Sequence, residues 1–182
     1  MIIGTKIIQP GDIILFEDTA PGIYGKFKRW LMNSSYGHGA IYVRDGYICE
    51  AIGKAVCRRY LYNTEHKGRN IMVLRLKRYL DPDREYAGKA AREAELIADH
   101  PLSNYDFLGI VRFVIPRLIL YRLTGKVFSL GYRNNSLYYC FELIARAYIL
   151  AMMPVISNSI AMASDFIASQ KLDLVYAGKL DW

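Results

Sequence analysis

Three residues of this chain have the types and surroundings that nucleophilic catalysis needs. His38 lies between two glycines in GHGAIYVRDGYICEA, Glu50 closes most of that stretch, and Cys140 heads the helix-like run YYCFELIARAY. A thiol attacks as the thiolate, an imidazole can take its proton, and a carboxylate can orient that imidazole. Such a set points to a cysteine hydrolase or an acyltransferase. Cys49 and Cys57 fall inside predicted strands and read as structural thiols. His66 in a polar loop and His100 at a helix end are expected at the surface. No pair of His or Cys residues has metal-ligand spacing, so neither a metal nor a cofactor is expected.

The elements that must position these residues begin with DIILFED, a predicted strand buried on both faces. KFKRWLMNSS predicts a short helix. Residues 39–44 and 47–52 are β-branched and aromatic runs around Asp45-Gly46, which predicts a hairpin. Its register decides the chemistry. A two-residue Asp45-Gly46 loop sets Glu50 opposite Ile41 and puts His38 on the other face. A three-residue loop with Gly46 left-handed pairs Val43 with Tyr47, sets Glu50 opposite Ala40 and puts His38 diagonally beside it. A triad needs the second arrangement.

Further strands are predicted over Ala55–Tyr60 and Asn70–Leu76. Asp81-Pro82 reads as an N-cap followed by the first residue of a helix with an apolar face of Ala87, Ala90, Ala91, Ala94, Ile97 and Ala98. Asn134, Asn135 and Ser136 are candidate N-caps for the helix of Cys140, which should run to Leu150 and stop before Pro154. A thiol at such a start is stabilised as thiolate by free N–H groups and the helix dipole, and the same groups can bind an oxyanion. LDLVYAGKL predicts a closing strand. Strands first, helices in the middle and one returning strand describe a single α+β domain over residues 1–182, a mainly antiparallel sheet packed against helices.

The segment 107–123, FLGIVRFVIPRLILYRL, is apolar but carries Arg112, Arg117 and Arg122, with Pro116 among them. Steps of five residues turn about 140° around a helix, so the arginines point three ways. A packed, kinked helical segment is expected, with a membrane-touching flap as the other reading. A chain 53% hydrophobic and 23% charged is globular rather than disordered. The N-terminus lacks an apolar run of signal-peptide length, and three cysteines make no disulfide framework. A cytoplasmic or particle-associated setting is the expectation. The net charge of +7 comes from scattered basic residues without a nucleic-acid-binding motif. Solvated faces explain it, or attraction to an anionic membrane or wall polymer; no nucleic-acid partner is expected.

The residues also resemble a known family, the circularly permuted NlpC/P60 cysteine hydrolases, a papain-like group that includes the YiiX-like proteins. The resemblance rests on PGDIILF, GHGAIYV, ICEA, NYDFLG, YYCFELIARAY and the terminal ASDFIASQKLDLVY. In ordinary NlpC/P60 proteins the cysteine precedes the histidine; here it follows, as permutation requires. The resemblance implies a papain-like fold with Cys140 as nucleophile, His38 as base and Glu50 as the orienting residue. It also implies Tyr105 as the tyrosine that members place beside the cysteine, on the substrate and oxyanion side. Phe141 stands where the family usually has serine, which implies a more apolar pocket. HGAIYVRDGYICEA is similar as well to the lecithin:retinol acyltransferase-like enzymes, which act on acyl chains of lipids. Those usually carry histidine at the third position, so Glu50 and YYCFEL fit the permuted NlpC/P60 side better. The expected function is hydrolysis of amide bonds in a small peptide or peptidoglycan-type substrate. A lipid or thioester acyl hydrolase or acyltransferase is the alternative, and a non-catalytic binding module is the third.

Overall fold

Two residues of positive φ, Asp45 at 51° and Gly46 at 82°, turn the chain between the strand that carries His38 and the strand that carries Glu50. That pairing matches the twist of a hairpin and suits Asp-Gly. Around it, a computed structural model describes residues 8–32, 34–52, 55–63, 65–101, 103–105, 115–124, 137–157 and 161–181. The strands are β1 (Ile13–Glu17), β2 (Tyr36–Arg44), β3 (Tyr47–Ile52), β4 (Ala55–Tyr60), β5 (Asn70–Leu76), β6 (Asn104–Tyr105), β7 (Leu137–Tyr138) and β8 (Leu172–Lys179). The helices are α1 (Gly22–Met32), α2 (Glu85–Asp99), α3 (Ile115–Thr124), α4 (Cys140–Leu150) and α5 (Ala163–Ile167). All eight strands join one sheet in the order β7-β6-β4-β3-β2-β1-β5-β8. Every neighbouring pair is antiparallel except β6 and β7.

Successive side chains of a strand point to opposite faces. Ile13 and Leu15 of β1 therefore join the core under α2 and α4, while Ile14 and Phe16 join a second core with Ile48, Leu61, Ile71 and Val73. All four β1 residues are inaccessible, as a strand buried on both faces requires. The small residues predicted on α2 (Ala87, Ala90, Ala91, Ala94) are buried, and they let this helix lie close to α4 and β2.

Two local readings of the sequence change. Asp81 does not begin α2. The helix starts at Glu85 after a left-handed Arg84 (φ 57°), yet the Asp81 carboxylate still accepts N–H bonds from Tyr86 at 3.2 Å and Ala87 at 2.8 Å. The delayed start lets the Arg84 guanidinium reach back to buried Asp12 (3.1 Å) and to the Pro10 carbonyl (2.7 Å), while Arg75 grips both oxygens of Asp12 at 2.8 and 2.6 Å. Pro116 lies within α3; residues 107–114 of the expected kinked helical segment are outside the described residues. Lastly, α4 begins at Cys140 itself, with Tyr139 as an extended N-cap that makes no side-chain cap bond. Asn134, Asn135 and Ser136 lie outside the described residues.

Gly39 is where α4 rests on β2. A methyl group at this position would stand 2.8 Å from the Phe141 ring and 3.0 Å from Ile144 Cδ1, both deeply buried. Gly39→Ala should therefore lower stability by about 1–3 kcal/mol through overpacking. Chemical denaturation would read this, and an unchanged midpoint would mean that α4 slides on the sheet without cost.

Candidate active site

The β2–β3 ladder sets Ala40 opposite Glu50, so His38 lies diagonally from Glu50 on the same face. The route to this register differs from the one expected. The loop has two residues, with Arg44 facing Tyr47, and the extra residue is accommodated as a β-bulge at Val43. The bulge has the same effect on the strand as a longer loop, since one inserted residue reverses every side chain beyond it. His38 Nε2 comes 2.6 Å from Glu50 Oε2. Cys140, the first residue of α4, lies close enough to the same imidazole to raise its affinity for a proton. With Nε2 occupied by the carboxylate, Nδ1 is the ring atom left for the thiol.

Electrostatics bind the three together. Burial alone pushes the His38 imidazole down, but the proximity of Cys140, the hydrogen bond to Glu50 and the charges of both outweigh that and hold it up at about 9. Burial likewise pushes the Glu50 carboxyl up. The His38 hydrogen bond and the charges of His38 and Arg59 overcome it and hold the group below its ordinary value, while burial pushes His66 itself toward its neutral form. The net result is an imidazole that favours its charged form and a carboxylate that matches it. The other two thiols are set differently: burial raises Cys49 to about 12, and burial also raises Cys57.

The structure adds one residue that the sequence does not reveal. His66 is not at the surface; it is 2% exposed and stacks on Phe16 with ring centroids 4.7 Å apart. Its Nε2 lies 3.9 Å from Glu50 Oε1, and Arg59 Nη1 lies 3.5 Å from the same oxygen. Thus Glu50 meets His38 with one oxygen and two further basic groups with the other. Phe16 also carries His38 on its ring, at 5.7 Å between centroids. The loop holding His66 is shaped by Asn63, whose side-chain oxygen accepts its N–H at 3.1 Å. Nothing in that local pattern shows that the loop folds over β1.

Two other expectations have different outcomes. The backbone of Tyr105 pairs with Tyr138, two residues before Cys140, so β6 lies beside the strand that leads into the cysteine helix; the Tyr105 side chain is outside what is described. Phe141 does not line a pocket. It is 2% exposed, packed between Gly39 and Phe166 on the core side of α4. The residue after a helix-initial cysteine points about 100° away from it, here into the sheet.

A thiol in this setting can pass its proton to the imidazole and attack a carbonyl carbon. The first N–H groups of α4 have no intrahelical acceptor and no side-chain cap, so they can receive an oxyanion.

A mainly antiparallel sheet with a cysteine-bearing helix packed on the histidine strand is an α+β fold of papain-like type. Among solved structures it is similar to the metalloprotein yiiX from Escherichia coli O157:H7, with a TM-score of 0.63 and 16% identity over 94% of this chain and 98% of that one. The fold is thus YiiX-like. No family model matches this sequence, and no curated protein sequence does. Among the described residues no group of three or more His, Cys, Asp and Glu side chains is arranged to hold a metal ion.

Two outcomes follow from these environments. Cys140 should be the only fast-reacting thiol at neutral pH, by alkylation and peptide mapping, because burial suppresses the thiolate of Cys49 and Cys57. Preferential labelling of either strand cysteine would contradict the assignment. Stability should also track the His38–Glu50 pair. His38 is held above its ordinary 6.5, so its contribution is complete below that pH and disappears as pH rises through about 9. Glu50 is held below its ordinary 4.5, so its contribution is present above that value and lost as pH falls. The stability gap between wild type and Glu50→Gln should then be widest between about pH 5 and 6.5 and shrink as pH rises through about 9. A gap that stays constant over this range would show that the imidazole is not charged in the fold.

Proposed function

We propose that this protein is a thiol hydrolase of the circularly permuted NlpC/P60 group, cleaving amide bonds of a small peptide or peptidoglycan-type substrate. One observation carries the reading: an imidazole acted on by a cysteine at a helix start has its Nε2 2.6 Å from an inaccessible carboxylate. Cys140 is the nucleophile, His38 the base and Glu50 the orienting residue. The chain order, histidine then glutamate then cysteine, supports the permuted assignment, as does the YiiX-like fold.

In the proposed cycle the Cys140 proton rests on His38, and the thiolate of this ion pair bonds to the carbonyl carbon. The carbonyl oxygen gains the negative charge and faces the N–H groups at the start of α4. His38 then returns its proton to the leaving nitrogen as the C–N bond breaks, giving an amine and a thioester on Cys140. Water, deprotonated by His38, attacks the thioester, and the thiolate leaves and is reprotonated. Glu50 stabilises the imidazolium in both halves. Arg59, 3.5 Å from its second oxygen, helps to keep the inaccessible carboxylate charged.

A lipid or thioester acyl bond is the second reading, favoured by one observation: Ile23, Phe27 and Trp30 on α1, the helix that leads into the histidine strand, are largely exposed. The same cycle would operate, with an alcohol or thiol as leaving group. A panel of peptide, wall-peptide and acyl-lipid substrates separates the two readings, with Cys140→Ala as control.

Glu50→Gln should lower turnover by on the order of 10²–10⁴ while the protein stays folded, as removal of a triad carboxylate does. The pH profile gives a second check. Because the imidazolium must donate to the leaving group, activity should fall on the alkaline side near pH 9, and Glu50→Gln should move that limb to lower pH. Unchanged activity per folded molecule would reduce the pair to a structural ion pair.

A further inference from the structure

We infer that α1 and α3 form a docking face for an anionic lipid bilayer. Ile23, Phe27 and Trp30 recur at positions i, i+4 and i+7 of α1, which places them along one side of the helix. They are 87%, 52% and 53% exposed, and the Phe27 and Trp30 rings stack at 5.8 Å. α3 packs against α1 and adds Leu123 at 75% exposure, with Ile119 and Leu120 also exposed. Large apolar side chains at this density are unusual on a surface meant only for water.

Charge selects the occupant. α1 carries Lys26, Lys28 and Arg29, α3 carries Arg117 and Arg122, and neither helix contains an acidic residue. The whole chain has a charge of +7. Aromatic and aliphatic side chains on one side of a helix, with basic residues and no acidic ones, suit the interface of a membrane that contains anionic lipid. No helix among the described residues is long and apolar enough to cross a bilayer, so the contact is peripheral. Arg29 fixes the position of α1 through bonds from Nη1 to the carbonyls of Asp18 and Ala20, both at 3.2 Å. The helix ends four residues before β2, which bears His38 at its third position, so docking brings that end of the sheet toward the bilayer.

Docking is independent of the hydrolase reading and is measured without turnover. Cys140→Ala, Trp182→Phe protein has Trp30 as its only tryptophan. It would be mixed with vesicles of phosphatidylcholine alone, or of phosphatidylcholine with phosphatidylserine. The expected result is co-sedimentation and a blue-shifted Trp30 emission with phosphatidylserine vesicles, and weak binding to phosphatidylcholine. Ile23→Asp with Leu123→Asp should abolish the blue shift. Lys26→Glu should weaken binding to the anionic vesicles about tenfold, and it tests the inference even if the double variant fails to fold. The inference is overturned if phosphatidylserine vesicles do not bind, or if Lys26→Glu binds as tightly as its parent. It is also overturned if light scattering shows a dimer that Ile23→Asp with Leu123→Asp disrupts and vesicle binding is absent, since a second copy would then cover the face.

Discussion

A fully buried carboxylate is the constraint around which the site is organised. Glu50 sits inside an otherwise apolar strand with no exposed surface, and an uncompensated charge there would be very costly. Three basic groups from three places in the chain surround it: His38 on β2, Arg59 on β4 and His66 in the loop after β4. Phe16 of β1 supports both histidine rings from one side. The requirement to compensate one charge thus fixes the relative placement of β1, β2, β3, β4 and the following loop. It also leaves His38 charged to high pH, with its remaining nitrogen available to the thiol.

The cysteine reaches that nitrogen by a separate mechanism, which is packing rather than charge. α4 is buried along most of its length, with Phe141, Leu143, Ile144, Ala147 and Tyr148 all in the core. Gly39 lets Phe141 and Ile144 come close to the β2 backbone, one residue after His38. Further away, Asp12 ties β1, β5 and the approach to α2 together through Arg75 and Arg84, and α2 in turn packs on α4. A buried ion-paired network of this kind tolerates little displacement, because removing one partner leaves the other charged and unpaired. The thiol and the imidazole are therefore held by two rigid bodies that meet at a glycine.

Much of this was legible locally. The β-branched runs around Asp45-Gly46, the unbroken apolar run that buries β1 on both faces, the alanine face of α2 and the extent of α4 are properties of short sequence windows, and windows determine periodicity and turn chemistry. The residue types at 38, 50 and 140 already limited the chemistry to a thiol, a base and a carboxylate. Asp81 was legible as a cap but not as one acting from outside the helix, since the displacement arises from Arg84 reaching Asp12, far away in the chain.

What the tertiary structure decided was how distant windows meet. Asp-Gly permits more than one hairpin register, and a bulge at Val43 selected the one that puts His38 beside Glu50. His66 lies in a polar loop, and only the folding of that loop over Phe16 buries it next to the carboxylate. Phe141 reads as a pocket residue by its place after the cysteine, but the seating of α4 on Gly39 turns it into the core. The sequence by itself determined which groups were available and which elements carried them. Their convergence depended on register and helix seating, which are set by contacts between residues far apart in the chain and so leave no signature in any one window.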